Sequence, residues 1–187
     1  SISGSGTVTL GTSGETFALG SNVSVTGNGL VGITVADQWR LSAGTAAATA
    51  DITANLERVD GTGQGTLGSA MTESSGIFTF PATGIYKVEA TLQMSGSDSS
   101  RYCGVNIQVT TNNSAYNTKA LSYSHLSIED AGTTYTSAYT NTLVDVTDVA
   151  NVKVKFRQEW AVTSTNNING STDYNYSFFT FTRLGDT

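Results

Sequence analysis

Apolar and polar residues alternate along residues 84–96, which read GIYKVEATLQMSG. Apolar side chains occupy every second position from Tyr86 to Met94, and mainly polar side chains fill the positions between them. Because successive side chains of a strand point to opposite faces, this pattern predicts a half-buried antiparallel strand. Later runs have a similar character: YCGVNIQVT, KALSYSHLSI, TSAYTNTLVDV, ANVKVKFRQEW and YSFFTFTRL. With turn signals between them, the runs predict about eight strands in an all-β antiparallel sandwich.

The only proline of the chain stands between two such runs. Pro81 follows GIFTF, and Gly84 and Tyr86 come shortly after it. Proline fixes φ and cannot donate a hydrogen bond to a strand ladder, so the first strand should end there. Glycine lets the backbone turn without a Cβ clash. The segment therefore predicts a strand–turn–strand corner in which Pro81, Gly84 and Tyr86 have structural roles.

Residues 1–34 differ in character from the rest of the chain. The units TVTLG and TFALG repeat a Thr-x-x-Leu-Gly pattern, and Glu15 is the only charged residue of the segment. Short strands with glycine at each corner fit a β-structured arm. Such strands bury little area alone, and an uncharged, unpaired edge invites aggregation. We therefore expect residues 1–34 to be an attachment arm packed on a partner and residues 35–187 to form the head.

The stretch TAAATADITANLERVD, residues 45–60, gives a mixed signal. Ile52, Leu56 and Val59 recur at helical spacing and the alanines favour a helix, whereas the threonines disfavour one. We expect at most one helical turn here, within a loop that leads into a strand at LERVD.

Composition narrows the functional classes. Charged residues make up 13% of the chain, about half of the roughly 25% in an average domain. The net charge is −6, and the densest basic cluster, Lys153, Lys155 and Arg157, has the alternate spacing of one solvated strand face. Nucleic-acid binding is therefore not expected. An apolar run of about 18 residues is missing, so membrane insertion is not expected either. Cys103 is alone and is expected to be a small buried hydrophobe.

Catalytic and cofactor chemistry has little support in the residues. His125 is the only histidine, and no G-x-S-x-G nucleophile motif accompanies it. Gly63, Gly65 and Gly68 match the dinucleotide fingerprint by letter, but the residues after them are not helical, which favours a glycine loop. Zinc needs several His or Cys ligands, and the chain has one of each. We therefore expect no enzyme and no cofactor, with a pair of converging carboxylates left open as the alternative.

Two acidic loops leave calcium open. Residues 95–100 (SGSDSS) and 127–132 (SIEDAG) carry the oxygen ligands that calcium prefers. Neither has the spacing of a known calcium loop, so no metal ligand is assigned.

Aromatic residues concentrate in YNYSFFTF, residues 174–181. On a strand, Phe179 and Phe181 share one face, while Tyr176 and Phe178 share the other. One face can fill the sandwich core, and the other then needs cover from a second subunit. We assign Tyr176, Phe178, Phe179 and Phe181 to a candidate oligomer interface.

The segment SGIFTFPATGIYKVEATLQMSG resembles the signature of the complement-globular-head and tumour-necrosis-factor-like (TNF-like) jelly rolls. That signature has an aromatic strand, then Pro-x-x-Gly-x-Tyr, then an alternating strand, and it maps onto Phe78, Phe80, Pro81, Gly84 and Tyr86. YSFFTFTRL is similar to the aromatic last strand of the superfamily, and TNTLVDVTDVANVKVKF resembles the strand pair before it, without the Gly-Asp often found there. The resemblance covers roughly residues 36–187 and implies a two-sheet jelly roll that forms a homotrimer.

ADQWRL and NLERVDGTGQGTLG, together with this corner, also resemble forms of the fold in virion proteins of tailed phages and marine viruses. The resemblance implies a trimeric virion structural protein on the particle exterior, either a capsid decoration (cement) protein or a fibre-head module. Residues 1–34 would attach it to the major capsid protein or another virion protein. The alternative is a receptor- or carbohydrate-binding module, at a fibre tip or secreted, that contacts a host-surface glycan through loops such as 163–173.

Overall fold

The computed structural model describes residues 32–129 and 132–187 of the chain. Within this part, Gly32–Thr187 form one compact unit. The arm expected over residues 1–34, with its Thr-x-x-Leu-Gly repeat, falls almost entirely on residues 1–31, outside the described residues. The boundary between arm and head therefore stays a prediction.

The described residues form thirteen β-strands and no helix. Several are short pieces of two or three residues, and the long ones correspond to the alternating runs of the sequence. The strands are β1 (Ala36–Leu41), β2 (Thr45–Ala46), β3 (Ala50–Asp51), β4 (Leu56–Arg58), β5 (Thr72–Ser74), β6 (Ile77–Thr79), β7 (Gly84–Gly96), β8 (Ser100–Thr110), β9 (Asn117–Leu126), β10 (Thr134–Val146), β11 (Lys153–Trp160), β12 (Asn166–Ile168) and β13 (Phe178–Gly185).

Two antiparallel sheets make up the sandwich. The seven-stranded sheet has the order β2-β12-β7-β13-β1-β4, and β10 also pairs with β7. Strand β7 organises this sheet, because β10 pairs with its whole length while β13 and then β12 pair with successive parts of it. The six-stranded sheet has the order β5-β6-β11-β8-β9, with β3 also paired to β11. This arrangement confirms the predicted all-β antiparallel two-sheet jelly roll.

The core lies between the two sheets and consists of alternate residues of their strands. In β7 every second side chain from Tyr86 to Met94 is buried, as the alternation predicted. Phenylalanine rings fill the centre: Phe156 and Phe179 stack with their centroids 4.0 Å apart.

This core corrects part of the predicted oligomer interface. Phe179 and Phe181 are fully buried inside the sandwich, and Phe78 packs against Phe181 with 5.1 Å between ring centroids. Their side chains are used within the chain and cannot contact a second subunit. Phe178 and Tyr176 lie on the outer side, as the alternation required. The two-sided character of this segment was predicted correctly, whereas the assignment of all four aromatic residues to one interface was wrong.

Residues 45–60 form short strands without a helical turn. Ile52 is buried, and its backbone N–H donates to the Phe156 carbonyl oxygen at 2.9 Å. Leu56 begins β4 and pairs with Leu41 of β1. Pairing with other strands therefore overrides the helical spacing of these residues. The strand expected at LERVD is confirmed as β4, while the polar stretch near 163–173, expected as a loop, also contains β12. The described residues contain no helix that is long and apolar enough to span a membrane.

Candidate functional site

The corner at Pro81 carries the chain from one sheet to the other, because β6 belongs to the six-stranded sheet and β7 to the seven-stranded sheet. Gly84 has a φ of 139°, a conformation that side chains disfavour. A Cβ at this position would lie 2.4 Å from the Gly185 carbonyl oxygen. Glycine is therefore required here, both for its backbone angle and for the close approach of β13.

Tyr86 holds the same corner from inside the core. Its hydroxyl donates to the Ala82 carbonyl oxygen at 3.1 Å, and its ring lies 4.7 Å from that of Phe80. Burial raises the pKa of this hydroxyl, and the nearby Arg183 guanidinium partly opposes the shift. Arg183 also donates to the Thr83 carbonyl oxygen at 2.9 Å. Sequence reasoning did not find Arg183, since it lies 100 residues away from its partner.

The outer surface of the seven-stranded sheet presents large side chains that the described residues leave exposed. We call this surface the tyrosine face and define it by Lys87, Glu89, Tyr135, Tyr139, Leu143 and Phe178. Tyr135 is 65% exposed, Tyr139 49% and Leu143 63%. All three lie on the outward side of β10, where they alternate with the residues that face the core.

A hydrogen-bonded cluster lies at the centre of the tyrosine face. The Glu89 carboxylate contacts Lys87 Nζ at 2.8 Å and accepts a hydrogen bond from the Tyr139 hydroxyl at 2.6 Å. Desolvation alone would raise the pKa of the Glu89 carboxyl, but these two hydrogen bonds and the charge of Lys87 outweigh it and lower the pKa. Within the cluster, the positive charge of Lys87 and the negative charge of Glu89 offset each other.

A second apolar surface lies along β9, the last strand of the six-stranded sheet. Leu121 is 42% exposed and Tyr123 52% exposed on the outward side of this strand. Strand β9 adjoins β10 of the other sheet, where Ser124 Oγ and Thr136 Oγ1 are 2.5 Å apart. We call this border, with Leu121 and Tyr123, the β9–β10 edge. It is a different surface from the tyrosine face.

Buried charges in β1 were not predicted from the sequence. Asp37 is 2% exposed, although it lies in a strand whose neighbouring core residue is Trp39. Its carboxylate accepts hydrogen bonds from Trp39 Nε1 at 3.1 Å, Arg58 Nε at 3.1 Å, Thr66 Oγ1 at 3.3 Å and Met71 N at 2.9 Å. These donors satisfy the carboxylate, as a buried charge requires. These contacts hold β1, β4 and the glycine loop together, which indicates a structural role for Asp37.

Arg40 is the other buried charge of β1, with 1% exposure. Its Nε donates to Glu57 at 2.7 Å and its Nη2 donates to Asp60 at 3.0 Å. The three residues hold β4 and the chain after it against β1.

The residues examined for catalysis do not come together. His125 is exposed on β9, and Gly63, Gly65 and Gly68 lie in a loop that leads to β5 and not to a helix. In the described part of the chain, no three His, Cys, Asp or Glu side chains converge in a way that could hold a metal. Part of the loop 127–132 lies outside the described residues, so the calcium interpretation stays a prediction.

The single cysteine is part of the core. Cys103 is fully buried in β8, which confirms the interpretation of this residue as a small hydrophobe. Burial raises the pKa of its thiol to about 11. The thiol is therefore protonated and shielded at neutral pH.

The geometry defines a two-sheet antiparallel sandwich with a proline corner between its sheets. No family model and no curated protein matches the chain, whereas solved structures do. Eiger TNF from S. frugiperda matches with a TM-score of 0.60 and 11% identity, over 84% of this chain and 96% of that chain. Murine APRIL matches with a TM-score of 0.57 and 13% identity, over 80% of this chain and 98% of that chain. The fold is therefore a TNF-like jelly roll, as the corner predicted.

Proposed function

We propose that this chain is a non-catalytic structural subunit that forms a homotrimer, in which the tyrosine face of one protomer packs against the β9–β10 edge of the next. The observation that carries the proposal is the set of large side chains left uncovered on both surfaces, with Tyr135 and Leu143 more than 60% exposed. Contiguous exposed apolar side chains mark sites of association.

The distinction between the two surfaces supports a closed ring. When a surface pairs with a different surface of the next copy, the contact is heterologous, and it closes into a ring if the rotation between copies permits. The TNF-like fold and the resemblance of the corner to a superfamily of compact homotrimers favour a ring of three.

The charges of the tyrosine face are compatible with burial. Lys87 and Glu89 form an ion pair, and the Tyr139 hydroxyl provides a further hydrogen bond to the carboxylate. A paired and hydrogen-bonded carboxylate costs less to desolvate than an isolated one. The aromatic and aliphatic residues around it have the composition of an interface centre.

Size-exclusion chromatography with light scattering tests the trimer directly. At micromolar concentration we expect three times the chain mass of 19.5 kDa. A stable species with the mass of one chain under these conditions contradicts the proposal.

The trimer would be an exterior component of a virion, as a capsid decoration (cement) protein or a fibre head. Residues 1–34 would attach it to the major capsid protein or another virion protein. Support comes from the resemblance of ADQWRL, NLERVDGTGQGTLG and the corner to virion forms of the fold. Because Gly32–Thr187 are a compact unit by themselves, the preceding segment can serve for attachment.

Removal of residues 1–31 tests the attachment role. We expect the truncated protein to keep the oligomeric state of the full chain and to lose binding to particles that lack this protein. Binding is measured by co-sedimentation with such particles, with the full chain as the control. Full occupancy by the truncated protein means that attachment does not depend on these residues.

A further inference from the structure

A pocket with a volume of about 380 Å³ opens on the outer side of the seven-stranded sheet. It lies where β12 takes the place of β13 beside β7, so the edge of the sheet is stepped there. This volume falls in the range of roughly 300–1,000 Å³ that small-molecule sites have. We call it the Gln93 pocket, and its lining residues are Gly44, Gln93, Tyr135, Asn169, Gly170 and Tyr176.

The two amide side chains of the pocket are held in fixed orientations. Asn169 Nδ2 donates to Gln93 Oε1 at 3.1 Å, and Ser95 Oγ donates to Asn169 Oδ1 at 2.8 Å. The backbone N–H of Asn169 also donates to the Gln93 carbonyl oxygen at 2.8 Å. Because Gln93 Oε1 is the acceptor in this network, Gln93 Nε2 presents its two hydrogens elsewhere, and no partner for them lies among the described residues. The pocket therefore contains an oriented donor group.

Tyrosine rings flank these amides. Tyr135 and Tyr176 are 65% and 41% exposed, and a further exposed ring, Tyr174, lies 5.9 Å from Tyr176 between centroids. An exposed aromatic ring offers an apolar surface with a polar hydroxyl at its end. Ring faces of this kind can stack on the C–H face of a saturated, hydroxyl-rich ring.

The six lining residues all lie in the described part of the chain, and none of them has a charged side chain. A charged ligand would therefore lose its hydration without gaining an ionic partner. We propose that the Gln93 pocket binds a neutral sugar residue of a glycan, with a tyrosine stacked on the sugar ring and Gln93 Nε2 bonded to a hydroxyl. The pocket shares Tyr135 with one end of the tyrosine face, so this proposal requires that end to stay open to solvent when the proposed trimer forms.

The test uses the full-length protein in its natural oligomeric state and ligand-observed saturation-transfer NMR. The probes are the methyl glycosides of glucose, galactose, mannose and N-acetylglucosamine, with methyl glucuronide as the anionic counterpart of the glucoside. We expect at least one neutral glycoside to bind and methyl glucuronide to bind more weakly than it. The Gln93→Ala and Tyr176→Ala variants should each bind that glycoside roughly tenfold more weakly. Tyr176 is exposed, so its removal leaves the fold intact even if Gln93→Ala perturbs the network.

The matched control is Gln108→Ala on the outer side of β8 in the other sheet, which should bind like the unaltered protein. The proposal is overturned if no neutral glycoside binds at about 10 mM, if methyl glucuronide binds as tightly as the neutral sugar, or if both pocket variants bind unchanged. Light scattering on the same samples separates this result from the trimer. A monomeric protein that binds sugar supports the sugar-binding proposal and contradicts the trimer proposal. A trimeric protein that binds no sugar contradicts the sugar-binding proposal alone.

Discussion

On the outer side of β11 and β8, in the six-stranded sheet, charged residues bind one another, whereas the tyrosine face leaves large rings in solvent. Lys155 Nζ lies 2.6 Å from Asp51, and Arg157 Nε lies 3.0 Å from Glu159. Lys155 Nζ also lies 4.4 Å from the centroid of the Tyr116 ring. We call this surface the ion-pair face and define it by Asp51, Lys153, Lys155, Arg157 and Glu159. It confirms the prediction that the basic cluster lies on one side of a strand.

The tyrosine face belongs to the same sandwich and has the same period-two pattern, yet its chemistry differs. Its ion pair shares the face with Tyr135, Tyr139 and Leu143, which are about half to two-thirds exposed. The comparison supports the proposal that another surface covers the tyrosine face, while the ion-pair face stays in contact with water. Substitutions on the tyrosine face should therefore change the oligomeric state, whereas substitutions on the ion-pair face should not.

The largest effect on stability should come from the Pro81 corner, which connects the two sheets. Gly84→Val adds a branched side chain at a φ of 139°, where a Cβ lies 2.4 Å from the Gly185 carbonyl oxygen. The loss of stability should be about 3 kcal/mol or more, because strain and overpacking act together. Chemical denaturation and soluble yield measure it.

The matched control for the corner is Gly65→Val. A Cβ at Gly65 meets nothing within 4 Å, so this variant should keep the stability of the parent protein. A soluble Gly84→Val protein with parental oligomeric state and stability contradicts the corner as described here.

Charge on the tyrosine face should have the next largest effect. Leu143→Glu places a carboxylate at a position that is 63% exposed, so the fold of the single chain should survive. Leu143 lies opposite Lys87, and Lys87 already binds Glu89, so the new carboxylate adds a net negative charge to this face. Burial of that charge in an interface is costly, and we expect the trimer to dissociate to single chains. Light scattering measures the mass, and circular dichroism verifies the fold.

The same charge on the ion-pair face is the control for this prediction. Gln108 pairs with Lys155 across β8 and β11, so Gln108→Glu adds a carboxylate beside a cation. The oligomeric state should not change. If both variants dissociate, or neither does, the two faces do not differ in the way proposed here.

The contrast between the faces shows how far sequence reasoning reaches. Alternation in β7 predicts which of its side chains are buried, because the period of a strand is local information. The same rule predicts that Phe179 and Phe181 share a side, but not which side faces the core, since that depends on the opposite sheet. Assembly roles were therefore assigned to rings that the chain itself buries.

Buried charged residues are a second feature that the sequence alone does not predict. Asp37 and Arg40 are read as surface residues when only their type and neighbours are known. Their burial depends on partners such as Arg58 and Glu57, about twenty positions later in the chain, which strand pairing brings into contact. The Gln93 pocket has the same origin, because its residues come from four separate segments.

A smaller effect should appear in the pH dependence of Glu89 at the centre of the tyrosine face. Its folded-state pKa lies below the usual value of 4.5, so the ionised form favours the folded state. This stabilisation is fully present above about pH 4.5 and is lost as the pH falls through the folded-state pKa. Glu89→Gln should thus destabilise the protein at neutral pH, and the difference from the parent should shrink in acid.

Unfolding by denaturant at a series of pH values measures this difference. The same substitution at Glu129, which is exposed in the loop after β9, serves as the control and should show little difference at any pH. A Glu89→Gln deficit that stays constant from pH 7 down to pH 3 would mean that the carboxylate charge is not what stabilises this cluster.

The smallest perturbation is chemical labelling of Cys103, which leaves the sequence unchanged. Its thiol is buried, and burial raises the pKa to about 11, so thiolate is scarce at pH 8. We expect a maleimide to label the denatured chain within minutes and the folded protein far more slowly.

Because Cys103 should react slowly in the folded protein, a single cysteine introduced on either face can report whether that face is covered. Ser137→Cys lies on the outward side of β10, and Gln108→Cys lies on the ion-pair face. In the trimer the cysteine at 137 should react more slowly than the one at 108. In a Leu143→Glu background, where the chains are separate, the cysteine at 137 should react at least as fast as the one at 108. Equal labelling rates in both backgrounds would mean that the tyrosine face stays open to solvent in the assembled protein.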